Sequence, residues 1–252
     1  MCCFSKPVIS VSSTNIFARP AENGRQFLVY SMTIRAKEDL AMILPLPVET
    51  PASEKDLEFI DLKGYPNFFA DLERGFPQQF THGGGGGRGF AEASMDKLKV
   101  IQVGNFEASF VPTVKDFSRL DERFRLPKDT WSKLPAYKTY GFAVLKLKPG
   151  AMTVHPMAFS FPRHDPATLF FPTVHIHDGK VHKNAHFDHA LFCQPTPEQR
   201  PTTEQWQESY THPVNFMTMD KTKGVILPNQ HCYKHEMRGS LPNRDTFLEI
   251  EI

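Results

Sequence analysis

Apolar positions along the chain alternate or run in short bursts and seldom show a helical period, which predicts strands more than helices. Residues 7–19 and 26–34 are rich in Val, Ile, Phe, Leu and Tyr and flank Pro20-Ala21-Glu22-Asn23-Gly24, a pattern that reads as two strands around a turn. The run Leu40-Ala41-Met42-Ile43-Leu44-Pro45-Leu46-Pro47 predicts a buried strand closed by prolines. Further strands are expected at residues 97–110 (two of them), 140–147, 157–161, 168–176 and 246–252. Helical spacing is confined to residues 66–74, with Phe68, Phe69 and Leu72, and to residues 114–125, with Phe117, Leu120 and Phe124. The segment from Gln194 to Gln207 is polar and proline-bearing, so it reads as a loop with at most one helical turn. The expected class is therefore mainly β (α+β), with antiparallel sheets or a sandwich and two or three short helices.

Composition sharpens this picture. The 252 residues include 22 Phe and 21 Pro, which favour pleated surfaces, loops and strand edges. That length suits one domain spanning 1–252, large enough to bury a core without disulfide staples. With 29 basic and 28 acidic residues the net charge is +1, so nothing pulls the chain toward nucleic acid or a membrane surface. No stretch approaches the ~20 apolar residues of a membrane helix, and the opening MCCFSKPVISVSS lacks the order of a signal peptide. A cytoplasmic location is expected, with Cys2, Cys3, Cys193 and Cys232 as thiols and not a disulfide framework. The oligomeric state is open.

The glycine run Gly83–Gly87 lacks the Lys-Ser/Thr ending of a phosphate-binding loop, so residues 82–89 read as a flexible surface loop.

Three stretches resemble a bacterial domain family of unknown function, usually exported, whose members begin with a Cys-Gly-Gly-Phe-Phe-Cys segment. They are the cysteine-bearing start running into Ile16-Phe17, the Leu40–Val48 run with its Leu-Pro-Leu-Pro-Val end, and a third, composite stretch. That third stretch joins Val103-Gly104-Asn105-Phe106-Glu107-Ala108 to Tyr140–Leu147 and the apolar segment Met157–Phe161. The likeness spans about the first two-thirds of the chain, and it implies one continuous domain and no particular chemistry. The chain departs from that family in lacking an export signal and in its histidine content.

The chemistry-bearing feature is a cluster of histidines. Five of the eleven, His175, His177, His182, His186 and His189, fall between residues 175 and 189, around Asp178-Gly179. Asp-Gly is a strong signal for a two-residue hairpin turn. Such a hairpin would pair His175 with His182 and gather Thr173, His175, His177, His182, Asn184, His186 and Asp188 on one face. Val174, Ile176, Val181, Ala185, Phe187 and Leu191 would form the opposite, core-facing side. Three imidazoles with an open coordination position suit catalytic zinc, and imidazole also serves copper, iron and nickel. The expected site is thus a transition metal, zinc or copper first and iron also, on His175, His177 and His182. His186, about 13 Å along the strand from His182, would join only at a bulge. His189 and Cys193 fall on the core side as packed residues. The segment His231-Cys232-Tyr233-Lys234-His235-Glu236 could supply a further ligand or a supporting partner, as could His155 and His164.

A second possibility lies at the start of the chain. Removal of Met1 would expose Cys2 as an N-terminal nucleophile with its own amine as base, and Arg19 after the first strand loosely resembles the pattern of N-terminal-nucleophile hydrolases. Three functions follow. The first is a metal-dependent enzyme activating water or oxygen for a small-molecule substrate. The second is an amidohydrolase using Cys2, and the third a non-catalytic metal- or ligand-binding module.

Overall fold

The computed structural model describes residues 2–76, 101–103, 106–126, 130–177, 180–196, 201 and 205–250. In chain order the elements are β1 (Cys2–Phe4), β2 (Ser10–Pro20), β3 (Arg25–Ala36), β4 (Leu40–Leu46), β5 (Glu58–Asp61) and α1 (Phe68–Glu73). They continue with β6 (Ile101–Val103), β7 (Phe106–Val111), β8 (Gly141–Leu147), β9 (Gly150–Pro162) and β10 (Thr168–Phe171). The last are β11 (His175–Ile176), β12 (Asn184–Cys193), β13 (Gln207–Glu208), β14 (Tyr233–Pro242) and β15 (Thr246–Glu249).

Two large sheets result. One has the order β11-β1-β4-β8-β7-β6 and the other β13-β14-β12-β2-β3-β9-β5, while β10 and β15 form a separate pair. Most ladders are antiparallel, but β1 runs parallel to β11 and β12 parallel to β2. The mainly β expectation holds.

Alternation along each strand explains the layering. Leu40, Met42, Leu44 and Leu46 of β4 face the core shared with the second sheet, where they meet Ile16, Leu28, Tyr30, Phe159 and Leu191. Ala41 and Ile43 of the same strand face outward into a second core, closed by Phe117, Leu120, Leu134 and Tyr137. This is why β4 reads as a continuous apolar run: both of its faces are covered. The second sheet is likewise covered on its outer side, where Phe17, Val29 and Phe192 pack against Phe68, Phe69 and Leu72 of α1.

Some expectations needed revising. Residues 114–125 form two 3-10 turns, Val114–Arg119 and Glu122–Phe124, and no α-helix. Phe117 and Leu120 recur at a spacing of three, which a 3-10 turn satisfies as well as an α-helix, and Leu120 is extended at φ −77°, ψ 158°. The strand expected over 168–176 is split into β10 and β11 around Pro172, which has no amide to give to a ladder. The glycine loop 82–89 lies outside the described residues.

Candidate functional site

The histidine-bearing segments do not form the expected hairpin. His175 lies on β11, whose ladder partner is β1, with Cys2 aligned to His175 and Cys3 to Ile176. The next strand, β12, belongs to the other sheet and pairs with β14 and β2. β11 and β12 thus lie in different sheets, and Asp178-Gly179 between them lies outside the described residues.

The free edge of β11 is closed by a side chain. Asn243 Oδ1 accepts the His175 amide at 2.7 Å, and its Nδ2 donates to the carbonyls of His175 at 2.9 Å and His182 at 3.0 Å. The Asn243 amide group thus does for His175 what a neighbouring strand would have done.

Because the first sheet is covered on both sides, the polar face of β11 also turns inward. Val174 and Ile176 pack in the outer core, as expected for the apolar side. His175 and His177 face the space between the sheets, where the rings of Phe4 and His177 lie 5.6 Å apart. The opposing strand, β12, sends Phe187 and His189 into the same space. His175 Nε2 and His189 Nε2 are 3.0 Å apart, and the His175 ring stacks on His177 at 4.8 Å and on His189 at 4.7 Å. Phe187 closes the group at 4.5 Å from the His175 ring.

His182 and His186 are exposed. The structure therefore joins His175 and His177 with His189, which the sequence reading had assigned to packing, and leaves two of the expected ligands outside. Strand alternation had correctly placed His189 on the core side at 1% exposure. Local pattern could not show that the core side of β12 faces β11. Of the other histidines, His231 Nδ1 contacts the Ser209 carbonyl at 2.9 Å, His235 Nδ1 that of Gln205 at 3.1 Å and His155 Nδ1 that of Pro156 at 3.1 Å.

Electrostatics keep the central imidazoles neutral. Burial, then the neighbouring His189 and His177, push His175 down to about 2, and burial also lowers His189. Asp188 sits beside them. Burial acts to raise its carboxyl, but His189, the Ser13 amide and Arg238 outweigh this and hold it low. The Ser13 amide donates to Asp188 Oδ2 at 2.6 Å from a left-handed position (φ 53°) inside a β-bulge. His189 Nδ1 has no hydrogen bond within the described residues, its nearest acidic oxygen being Asp188 Oδ1 at 3.7 Å. One of the two Nε2 atoms therefore carries the proton between them and the other accepts it.

Two imidazole nitrogens at 3.0 Å match a hydrogen bond. Tetrahedral zinc with bonds of about 2.0–2.1 Å would set them roughly 3.3 Å apart. Among the described residues no three His, Cys, Asp or Glu side chains are grouped so as to hold a metal ion.

No protein-family model matches the chain, and no curated protein matches it. The fold, however, has counterparts among solved structures. Baculovirus p35 superposes with a TM-score of 0.50 at 12% identity, over 96% of this chain and 97% of p35. A mutated baculovirus p35 after caspase cleavage gives 0.47 at 12% identity, over 96% and 99% of the two chains. A p35 in complex with caspase-8 gives 0.44 at 10% identity, over 95% and 96%. At such identities the first of these shows a shared fold and nothing more. No helix among the described residues is long and apolar enough to cross a membrane.

The remaining element of the Cys2 hypothesis is Arg19. It is buried in the second sheet, while Cys2 lies in the first. Its guanidinium donates to the carbonyls of Val225 at 2.7 Å, Gly224 at 2.7 Å and Pro20 at 3.1 Å. Its donors thus fasten a turn. Cys3, Cys193 and Cys232 are buried and in no disulfide, and burial pushes the Cys193 and Cys232 thiols well above their ordinary range.

Proposed function

We propose that this chain is a protein-binding module whose partner is a protease of the caspase class. The observation that supports this is the end-to-end correspondence of fold with baculovirus p35, which leaves only a few per cent of either chain unmatched. A p35 is the protein found in complex with caspase-8. A correspondence of whole chains favours a shared manner of use more than a shared sub-structure would, although folds and functions can separate. The test is direct. Purified protein mixed with active caspase-8 should reduce peptidase activity in proportion to the amount added, and a complex of the two should co-elute in gel filtration. Full activity at about 100 μM of the protein, where even a micromolar site would be filled, together with separate elution, would end this reading.

A second reading is favoured by the placement of Cys2. β1 is an interior strand of its sheet, between β11 and β4, and it aligns Cys2 with His175 beside a cluster of neutral imidazoles. With Met1 removed, Cys2 would become the N-terminal residue, with its own amine as the base for its thiol. Intact mass shows whether Met1 is lost, and retention of Met1 would exclude this chemistry. Rapid alkylation at Cys2 that slows in a His175→Gln variant would support it.

A further inference from the structure

Beside β14 lies a groove of about 1020 Å³, whose apolar lining includes Tyr140, Val174, Leu241 and Phe247. One of its walls is a sheet edge. β14 pairs with β12 along its whole length, from Tyr233 to Pro242, but its other neighbour, β13, covers only Tyr233 and Lys234. The Ser209 amide donates to the Cys232 carbonyl at 2.8 Å across that side. Backbone groups on a strand alternate sides, so those of Glu236 and Arg238 point the same way, into the uncovered stretch. Apart from β12, no strand among the described residues pairs with Glu236 or Arg238.

The charges of the groove are unevenly satisfied. Asp245 accepts from the Tyr137 hydroxyl at 2.6 Å and from the amides of Thr173 at 2.9 Å and Val174 at 3.0 Å. Glu236 is held by Lys234 at 2.7 Å and Arg238 at 3.3 Å. Arg244 is exposed, and its guanidinium makes no hydrogen bond or ion pair among the described residues. Phe247 beside it is 48% exposed, a large apolar side chain for a surface position.

We propose that this groove receives an extended segment of a partner protein, added as a strand to the edge of β14. Its alternate side chains are apolar and lie over Leu241 and Phe247, and it carries a carboxylate that reaches Arg244. An open backbone edge selects a peptide over other ligands, because only a peptide returns the matching row of donors and acceptors. The unpaired guanidinium selects an acidic one. The inference concerns a surface apart from the imidazole cluster and stands without the caspase reading.

The probe is a fluorescein-labelled eight-residue peptide alternating valine with aspartate, compared with its valine–lysine counterpart and with a form N-methylated at every second amide. The acidic peptide should bind, shift the amide resonances of Glu236 and Arg238, and exceed the lysine peptide in affinity by about tenfold or more. N-methylation should abolish binding, and Arg244→Glu, at an exposed position that leaves the core untouched, should reverse the order of the two peptides. Absence of binding by either peptide, indifference to N-methylation, or an unchanged preference in Arg244→Glu would each overturn the proposal. So would self-association of the chain through this edge, seen in ultracentrifugation as a dimer that Leu241→Glu dissolves.

Discussion

His175 Nε2 on β11 and His189 Nε2 on β12 form a 3.0 Å contact that ties one sheet to the other. Such a contact holds one proton; a second would make both nitrogens donors. His175 has a folded-state pKa near 2 against an ordinary 6.5, so as pH falls the unfolded chain takes the proton first. The stability associated with the neutral pair is complete above about 6.5 and declines from there toward 2. The urea midpoint should therefore fall on going from pH 7 to pH 5, and His175→Gln should flatten that dependence. Equal losses in the two proteins across this window would show that the pair does not govern acid sensitivity.

Asn243 fixes His175 and His182 with three hydrogen bonds from one side chain. Asn243→Ala should cost about 1–3 kcal/mol, because the His175 amide and carbonyl lose their partner at a partly buried edge. Asn243→Asp keeps the acceptor and loses both donations, so it should fall between the two. Amide exchange at Ile176 and His177 should quicken in the alanine variant. Unchanged exchange there would mean that β1 alone holds β11.

Much of the scaffold was legible because its signals are local. The β2–β3 turn is announced by Asn23-Gly24, and both residues take the positive φ such a turn requires, 55° and 69°. β4 was visible as an apolar run for the same reason that it is buried on both faces. β14 was missed because its inward positions carry His235, Met237 and Gly239, a weak apolar signal, although burial alternates along it. The candidate site was half legible. Alternation sorted β12 correctly and put His189 inside. The pairing of β11 with a three-residue strand at the chain's start is a long-range choice that no local spacing encodes. The segments on either side of Asp178-Gly179 therefore pair in different sheets, which no local spacing announces.

The metal hypothesis can be tested separately from the partner hypothesis. A centre on His175, His177 and His182 would need the exposed His182 ring to turn inward while its carbonyl is bound to Asn243. Protein purified without a histidine tag and analysed for zinc, copper and iron should accordingly contain well under one equivalent, and His182→Ala should leave that content unchanged. One equivalent of metal that disappears in His182→Ala would restore the three-histidine centre and show that this segment rearranges on binding.

Arg19 separates a structural role from a chemical one. Its guanidinium is buried, lies 4.7 Å over the Phe27 ring, and binds two carbonyls of the 224–225 turn at 2.7 Å each. Burial lowers its pKa to about 10, with Cys232 opposing the shift, so it stays charged at neutral pH. Lysine cannot reproduce a planar fork of donors, so Arg19→Lys should lower stability by about 2–3 kcal/mol in chemical denaturation. If Arg19 serves only to fasten that turn, the alkylation rate of Cys2 in folded Arg19→Lys protein should match the parent. A slowed reaction at full folding would place Arg19 in the chemistry of an N-terminal nucleophile after all, since the two residues lie in different sheets and only a functional link would couple them.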